Sequence, residues 1–157
     1  MVDLIEIEPA SSKDEAAILN LLTQTSLPHE GVSKHLGSFL IARDESGATI
    51  GCAGLELHGK IGLLRSVAVT PNLQKSGLGS RLVETVISEA KRNGLQEIVL
   101  LTTTARDFFS RRFGFIETSR ENYNESLQNS PEWTLPRCSS AVVMKVNLEA
   151  RTDKNYV

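Results

Sequence analysis

Val67-Ala68-Val69-Thr70-Pro71-Asn72-Leu73-Gln74-Lys75-Ser76-Gly77-Leu78-Gly79-Ser80 is the stretch whose reading decides the fold. The apolar residues up to Val69 read as a strand, Pro71 stops it, and a long helix opens at Gly77. Between them, Gln74 to Gly79 forms a loop delivered onto a helix N-terminus. Glycine has no Cβ and lets the backbone come close to a ligand. A helix N-terminus offers unpaired N–H groups and a positive partial charge. Together these make a cradle for a pyrophosphate, and Lys75 adds a point charge. The spacing is not the G-x-G-x-x-G of a dinucleotide fold, and no G-K-[ST] of a Walker loop follows. Taken alone, the two glycines could equally do no more than turn the chain into a helix.

Downstream, Leu78, Leu82, Val83, Val86, Ile87 and Ala90 form one apolar stripe along a helix over Gly77–Asn93. Gly94 stands where a left-handed cap closes it. Glu97–Thr103 reads as a buried strand, Ala105–Phe113 as a short helix closed by Gly114, and Ala141–Leu148 as a final strand. The tail 149–157 is polar. Upstream, Phe39–Arg43, Thr49–His58 and Ile61–Val69 read as three strands, with turns at Asp44–Gly47 and Gly59. His29–Gly37 is polar and reads as a loop or a short second helix. Leu4–Glu8 alternates as an opening strand. Ser12 with Glu15 reads as a capping box, starting a helix with Ile18, Leu21 and Leu22 on one face. This order joins an antiparallel meander to one strand–helix–strand crossover. The expected class is α+β: one mixed, mostly antiparallel sheet with helices on both faces, in a single domain over residues 1–148.

Composition narrows the function classes. The 157 residues suit one compact domain, and the formal net charge is −2. That balance gives no electrostatic case for nucleic acid, which needs a clustered basic face. No apolar run approaches the roughly 18 residues of a membrane span. The N-terminus alternates apolar and acidic residues and lacks the pattern of a signal peptide, so a cytoplasmic location is expected. Cys52 and Cys138 form neither a disulfide framework nor a zinc site, and no metal is expected.

The flanks of the loop add what the glycines alone do not. A hydrophobic strand (Val67-Ala68-Val69), then Pro71, then Gln74, Gly77 and Gly79 in register follow the pattern strand, Pro, Q/R-x-x-G-x-G/A. In this the chain resembles the GNAT family of N-acetyltransferases, and the element order and Gly114-Phe115 match as well. The resemblance implies acetyl-CoA as cosubstrate and a small-molecule amine as acceptor. It implies that Val67, Ala68 and Val69 offer backbone groups to the pantetheine arm. Lys75, Ser76, Gly77, Leu78, Gly79 and Ser80 would cradle the pyrophosphate behind Gln74. Thr103, Phe108 and Arg111 would complete the cofactor side. The N–H of Val67 would polarise the thioester carbonyl. Dimers occur in the family, so a homodimer is open.

Proton transfer is less legible. Acyl transfer needs a neutral amine, so a base must take a proton. Many family members use a Glu on the strand before the loop, where this chain has Leu64 and Arg65. Glu56 is the nearby acid. It shares a strand face with Cys52, Gly54 and His58, and it reads either as the base or as a solvated outer-face residue. The family's usual Tyr, which protonates the leaving thiolate, falls on Phe109 or Ser110 by the two ways of counting. Either Ser110 serves through water, or the thiolate leaves without a dedicated acid.

Three further patterns concern the acceptor: Leu100–Ala105 with Phe108-Phe109, Leu63–Val69, and Glu132-Trp133 with Cys138–Ala141. They are similar to small amino-acid acetyltransferases, including those of arsenic-resistance operons, and more loosely to N-acetylglutamate synthase catalytic domains. An α-carboxylate is captured by an Arg fork with hydroxyl donors. Arg65, Thr102, Arg137, Ser140 and His29 are the candidates, and Trp133 reads as a lid or as core. Another amine acceptor, or a CoA-binding regulator without turnover, is the alternative.

Overall fold

The structure is a computed structural model that describes residues 4–148. Its strands are β1 (Glu6–Pro9), β2 (Phe39–Arg43), β3 (Thr49–His58), β4 (Ile61–Val69), β5 (Glu97–Thr102), β6 (Ile116–Thr118) and β7 (Val142–Asn147). The α-helices are α1 (Glu15–Gln24), α2 (Leu78–Arg92) and α3 (Arg106–Phe113). Hydrogen bonding orders the strands β1-β2-β3-β4-β5-β7-β6. The pairs β1–β2, β2–β3, β5–β7 and β6–β7 are antiparallel, and α2 supplies the crossover from β4 to β5. The class is α+β, as expected. The described residues fall into two compact units. One holds the chain up to Leu55 with Leu64–Val86, and the other holds Glu56–Leu63 with the chain from Ile87 on.

In the first unit α1 buries Ile18, Leu21 and Leu22 against Val32, Phe39, Ile41, Cys52 and Ala68. Burial of each such large side chain is worth roughly 1.5–3 kcal/mol. A Cβ at Gly51 would instead lie 3.0 Å from Leu82 and 3.4 Å from Leu78 of α2. Gly51 and Cys52 are consecutive on β3 and point to opposite faces. Within this unit α1 and α2 therefore cover opposite faces of the sheet. Gly54 is required by contact, because a Cβ there would lie 2.4 Å from the Phe39 ring.

The helix start differs from expectation. The capping residues are Ser11 and Asp14, one position earlier than Ser12 and Glu15. Asp14 Oδ2 accepts from the Ser11 N–H at 2.8 Å, and a short 3-10 turn, Ser12–Asp14, precedes α1. Asp14 Oδ1 also accepts from Arg43 Nη2 at 2.6 Å. A contact across 29 residues thus selects the earlier register. Burial alone would raise the Asp14 carboxyl. The Ser11 N–H and the Arg43 guanidinium outweigh it and hold the group below the usual range.

In the second unit Leu63, Val99, Tyr123, Leu127, Trp133 and Val143 form the core. Strand β6 was not expected from the sequence. It is three residues long, with Ile116 and Glu117 exposed, so no alternation marks it. It pairs with β7, which lies between it and β5. The connection from β6 to β7 runs in turns pinned by Arg120. Its guanidinium donates to the carbonyls of Trp133 (3.2 Å) and Cys138 (2.7 Å) and stacks 4.8 Å from the Trp133 ring centre. Trp133 is core, and its indole N–H donates to Asn124 Oδ1 at 2.9 Å. No helix among the described residues is long and apolar enough to cross a membrane.

Candidate functional site

The loop quoted first begins where β4 ends. Ala68 and Val69 are buried and Val67 is half-buried. Gln74 folds back and donates from Nε2 to the Val69 carbonyl at 3.1 Å, closing the loop at its base. Residues 74–77 are exposed, whereas Leu78 is buried and anchors α2. Two residues of the loop take left-handed backbone, Lys75 at φ 70° and Gly77 at φ 94°. The conformation is free for glycine but costs on the order of 1 kcal/mol at Lys75. Gly79 is informative for another reason. It sits in the first turn of α2, and a Cβ there would meet only Val69 Cγ2, at 4.0 Å. Packing does not ask for glycine at this position. A bare backbone at a helix start fits a ligand phosphate that approaches closely.

Just before the loop, the backbone of β4 departs from extended geometry at one residue. Ser66 has φ 59°, a left-handed conformation in mid-strand. Arg65 is 3% exposed. Its Nε donates to Ser66 Oγ at 2.9 Å, its Nη2 to the Pro28 carbonyl at 3.1 Å, and its Nη1 to the Glu30 carbonyl. Cys52 Sγ donates to the Ser66 carbonyl at 3.2 Å. Burial pushes the Cys52 thiol up to about 12, against the opposite pull of an Ala68 backbone hydrogen bond and of Arg65. The thiol is therefore a neutral donor near pH 7. Neither the Ser66 conformation nor these partners had a signal in the sequence, because both depend on chain brought from elsewhere.

Glu56 is fully buried, so it is not a solvated outer-face residue. Its Oε1 lies 2.9 Å from His58 Nε2, as the shared face of residues 56 and 58 allows. On α3, Phe109 is buried in an edge-to-face ring cluster with Phe108 and Phe115. Ser110 is exposed and lines a groove of about 360 Å³ with Arg106, Asp107, Phe115, Ile116 and Glu117. Thr102 Oγ1 accepts from the Ala105 N–H at 2.9 Å and ties β5 to the start of α3. Thr103, Arg111 and Ser140 are exposed, and Phe108 and Ser80 are half-buried. His29 is exposed and its Nε2 lies 3.0 Å from Thr23 Oγ1. Arg137 belongs to the turn Pro136–Cys138, and its side chain lies outside the described residues.

The model of the GNAT acetyltransferase family matches residues 4–115, and the chain belongs to this family. An uncharacterized N-acetyltransferase of Chlorobaculum tepidum is 28% identical over 99 residues, 62% of each chain. The amino-acid acetyltransferase of Ralstonia nicotianae is 27% identical over 152 residues, 91% of this chain and 33% of that protein. Among solved structures, N-acetylglutamate synthase from Neisseria gonorrhoeae, complexed with coenzyme A and L-arginine, superposes with a TM-score of 0.77 at 25% identity. It covers 92% of this chain and 33% of its own. The chain thus spans less than two thirds of these curated relatives.

Proposed function

We propose that the chain is an acetyl-CoA-dependent N-acetyltransferase acting on the α-amino group of a small amino acid or amino-acid analogue. The observation that carries the donor half is Gly79, whose missing Cβ answers no packing need where α2 begins. The acceptor half is supported by relatives named for amino-acid acetylation and by the neighbour solved with coenzyme A and L-arginine.

Acetyl-CoA supplies the acetyl group as a thioester. In this reading the N–H groups of Lys75, Ser76, Gly77, Leu78, Gly79 and Ser80 hold the pyrophosphate, and Gln74 keeps the loop closed. The backbone of Val67, Ala68 and Val69 lines the pantetheine arm, with Thr103, Phe108 and Arg111 on the cofactor side. The Val67 N–H donates to the thioester oxygen as negative charge develops there. Glu56 accepts a proton from the ammonium form of the acceptor, and the neutral amine attacks the carbonyl carbon. The C–N bond forms, the C–S bond breaks, the nitrogen gives up its second proton, and the thiolate takes one up, through water or through Ser110. A free thiol has a pKa near ~8.5, so departure without a dedicated acid is chemically tolerable. His29, Arg65, Thr102, Arg137 and Ser140 are assigned to the acceptor side. A cytoplasmic location completes the reading.

The test is a thiol-release screen with acetyl-CoA over free amino acids, phosphinic and arsenic glutamate analogues, polyamines and aminoglycosides. CoA release confined to amino acids or their analogues is expected. Activity confined to polyamines overturns the acceptor half, and tight CoA binding without turnover of any amine overturns the enzyme reading.

A further inference from the structure

We propose that Arg65, Ser66 and Cys52 form a positioning device that couples the loop Pro28–Glu30 to the direction of the Val67 N–H. The functional part of this inference rests on the role given to Val67 above.

The first element is the peptide plane between Ser66 and Val67. A trans peptide holds its C=O and the following N–H in one plane, pointing in opposite directions. The Ser66 carbonyl accepts from Cys52 Sγ at 3.2 Å. That bond sets where the Ser66 oxygen points, and so sets the Val67 N–H to point away from Cys52. A donor aimed before the reaction costs no reorganisation when charge develops.

The second element is the conformation of Ser66. A non-glycine residue at φ 59° within a strand persists only when its surroundings hold it. Two groups hold it here, Cys52 at the carbonyl and Arg65 Nε at the hydroxyl, 2.9 Å away.

The third element carries the coupling. The Arg65 guanidinium is buried, and a buried charge is tolerated when its N–H groups are bonded. Beyond Ser66 it donates to the carbonyls of Pro28 and Glu30, which lie 37 and 35 residues away in the chain. The guanidinium is one rigid plane. Motion of the two loop carbonyls therefore turns that plane and acts on the Ser66 hydroxyl at its other end. His29, a candidate acceptor residue, sits between the two tethered carbonyls. An amine substrate that settles the loop would settle the thioester-polarising N–H as well.

The experiment compares the parent chain with Arg65→Lys, Ser66→Gly and Cys52→Ala. Lysine keeps the charge but cannot fork to two carbonyls and a hydroxyl. Amide exchange in residues 29–34 is expected to quicken about tenfold in Arg65→Lys, and the Val67 amide signal is expected to shift. Ser66→Gly relieves the left-handed backbone and keeps the chain folded. It is expected to lower kcat about tenfold while the KM for acetyl-CoA changes less than about twofold. A merely structural role predicts instead that kcat follows thermal stability across the three variants. Loop exchange and a Val67 signal unchanged in Arg65→Lys overturn the coupling, whether or not any amine is acetylated. A parent chain that acetylates no amine, while the Val67 signal still shifts, overturns the role of Val67 in catalysis and leaves the coupling supported.

Discussion

Glu56 and His58, two residues apart on β3, meet at 2.9 Å through Oε1 and Nε2, and Glu56 has no exposed surface. A buried carboxylate is tolerated when it is bonded, and this pair places an acid and an imidazole in direct contact. We expect Glu56→Gln to lower kcat/KM about 100-fold, the scale of general-base catalysis. The loss should be greatest near neutral pH, where an α-amino group of pKa near ~8 is still largely protonated. A pH–rate profile identical to the parent's would remove Glu56 as the base.

Gly79 has room for a methyl group, its nearest neighbour being Val69 Cγ2 at 4.0 Å. Gly79→Ala should leave the fold as stable or add up to about 1 kcal/mol, since alanine favours helix. The same change should weaken CoA binding, and Gly79→Trp should abolish it while far-ultraviolet circular dichroism stays unchanged. Calorimetric CoA affinity unaltered in Gly79→Trp would overturn the phosphate-loop assignment.

Asp14 is bonded to the Ser11 N–H and to Arg43, and its carboxyl is held below the usual range. A carboxyl lowered by folding contributes stability above its unfolded pKa near ~3.9, and that contribution is lost as pH falls through the folded pKa. Urea unfolding from pH 7 down to pH 3 should show the parent losing this increment at the acid end. Asp14→Ala, which leaves Arg43 paired with Glu8 alone, should cost roughly 1–2 kcal/mol at pH 7 and show a flatter acid limb. Equal acid sensitivity in the two chains would contradict the assignment.

Cys52 is fully buried, with its thiol pushed up to about 12. The thiolate is the reactive form, so at pH 8 the folded protein should leave Cys52 unmodified by alkylating reagents. Denaturation should make it react at once. Peptide mass spectrometry that finds Cys52 labelled in the native protein would refute this.

Much of the framework was legible because its signals are local. The bounds of β2, β3 and β4 follow from runs of apolar residues cut by Asp44–Gly47, Gly59 and Pro71, and they fall where the sequence reading places them. The stripe from Leu78 to Ala90 is buried along α2, and Gly94 and Gly114 close their helices with φ of 77° and 75°. The loop Gln74–Gly79 was legible for the same reason, since strand, proline, glycines and helix start are consecutive. Backbone sterics and periodicity act over a few residues, and the order of residues alone determined them. Tertiary structure decided what depends on distant partners. It set the capping register through Arg43 and placed β6 beyond β7. It also turned Ser66 into the left-handed region and gave Arg65 two carbonyls from residues 28 and 30. Such contacts join points some thirty residues apart, and no local pattern of side chains records which pair will meet.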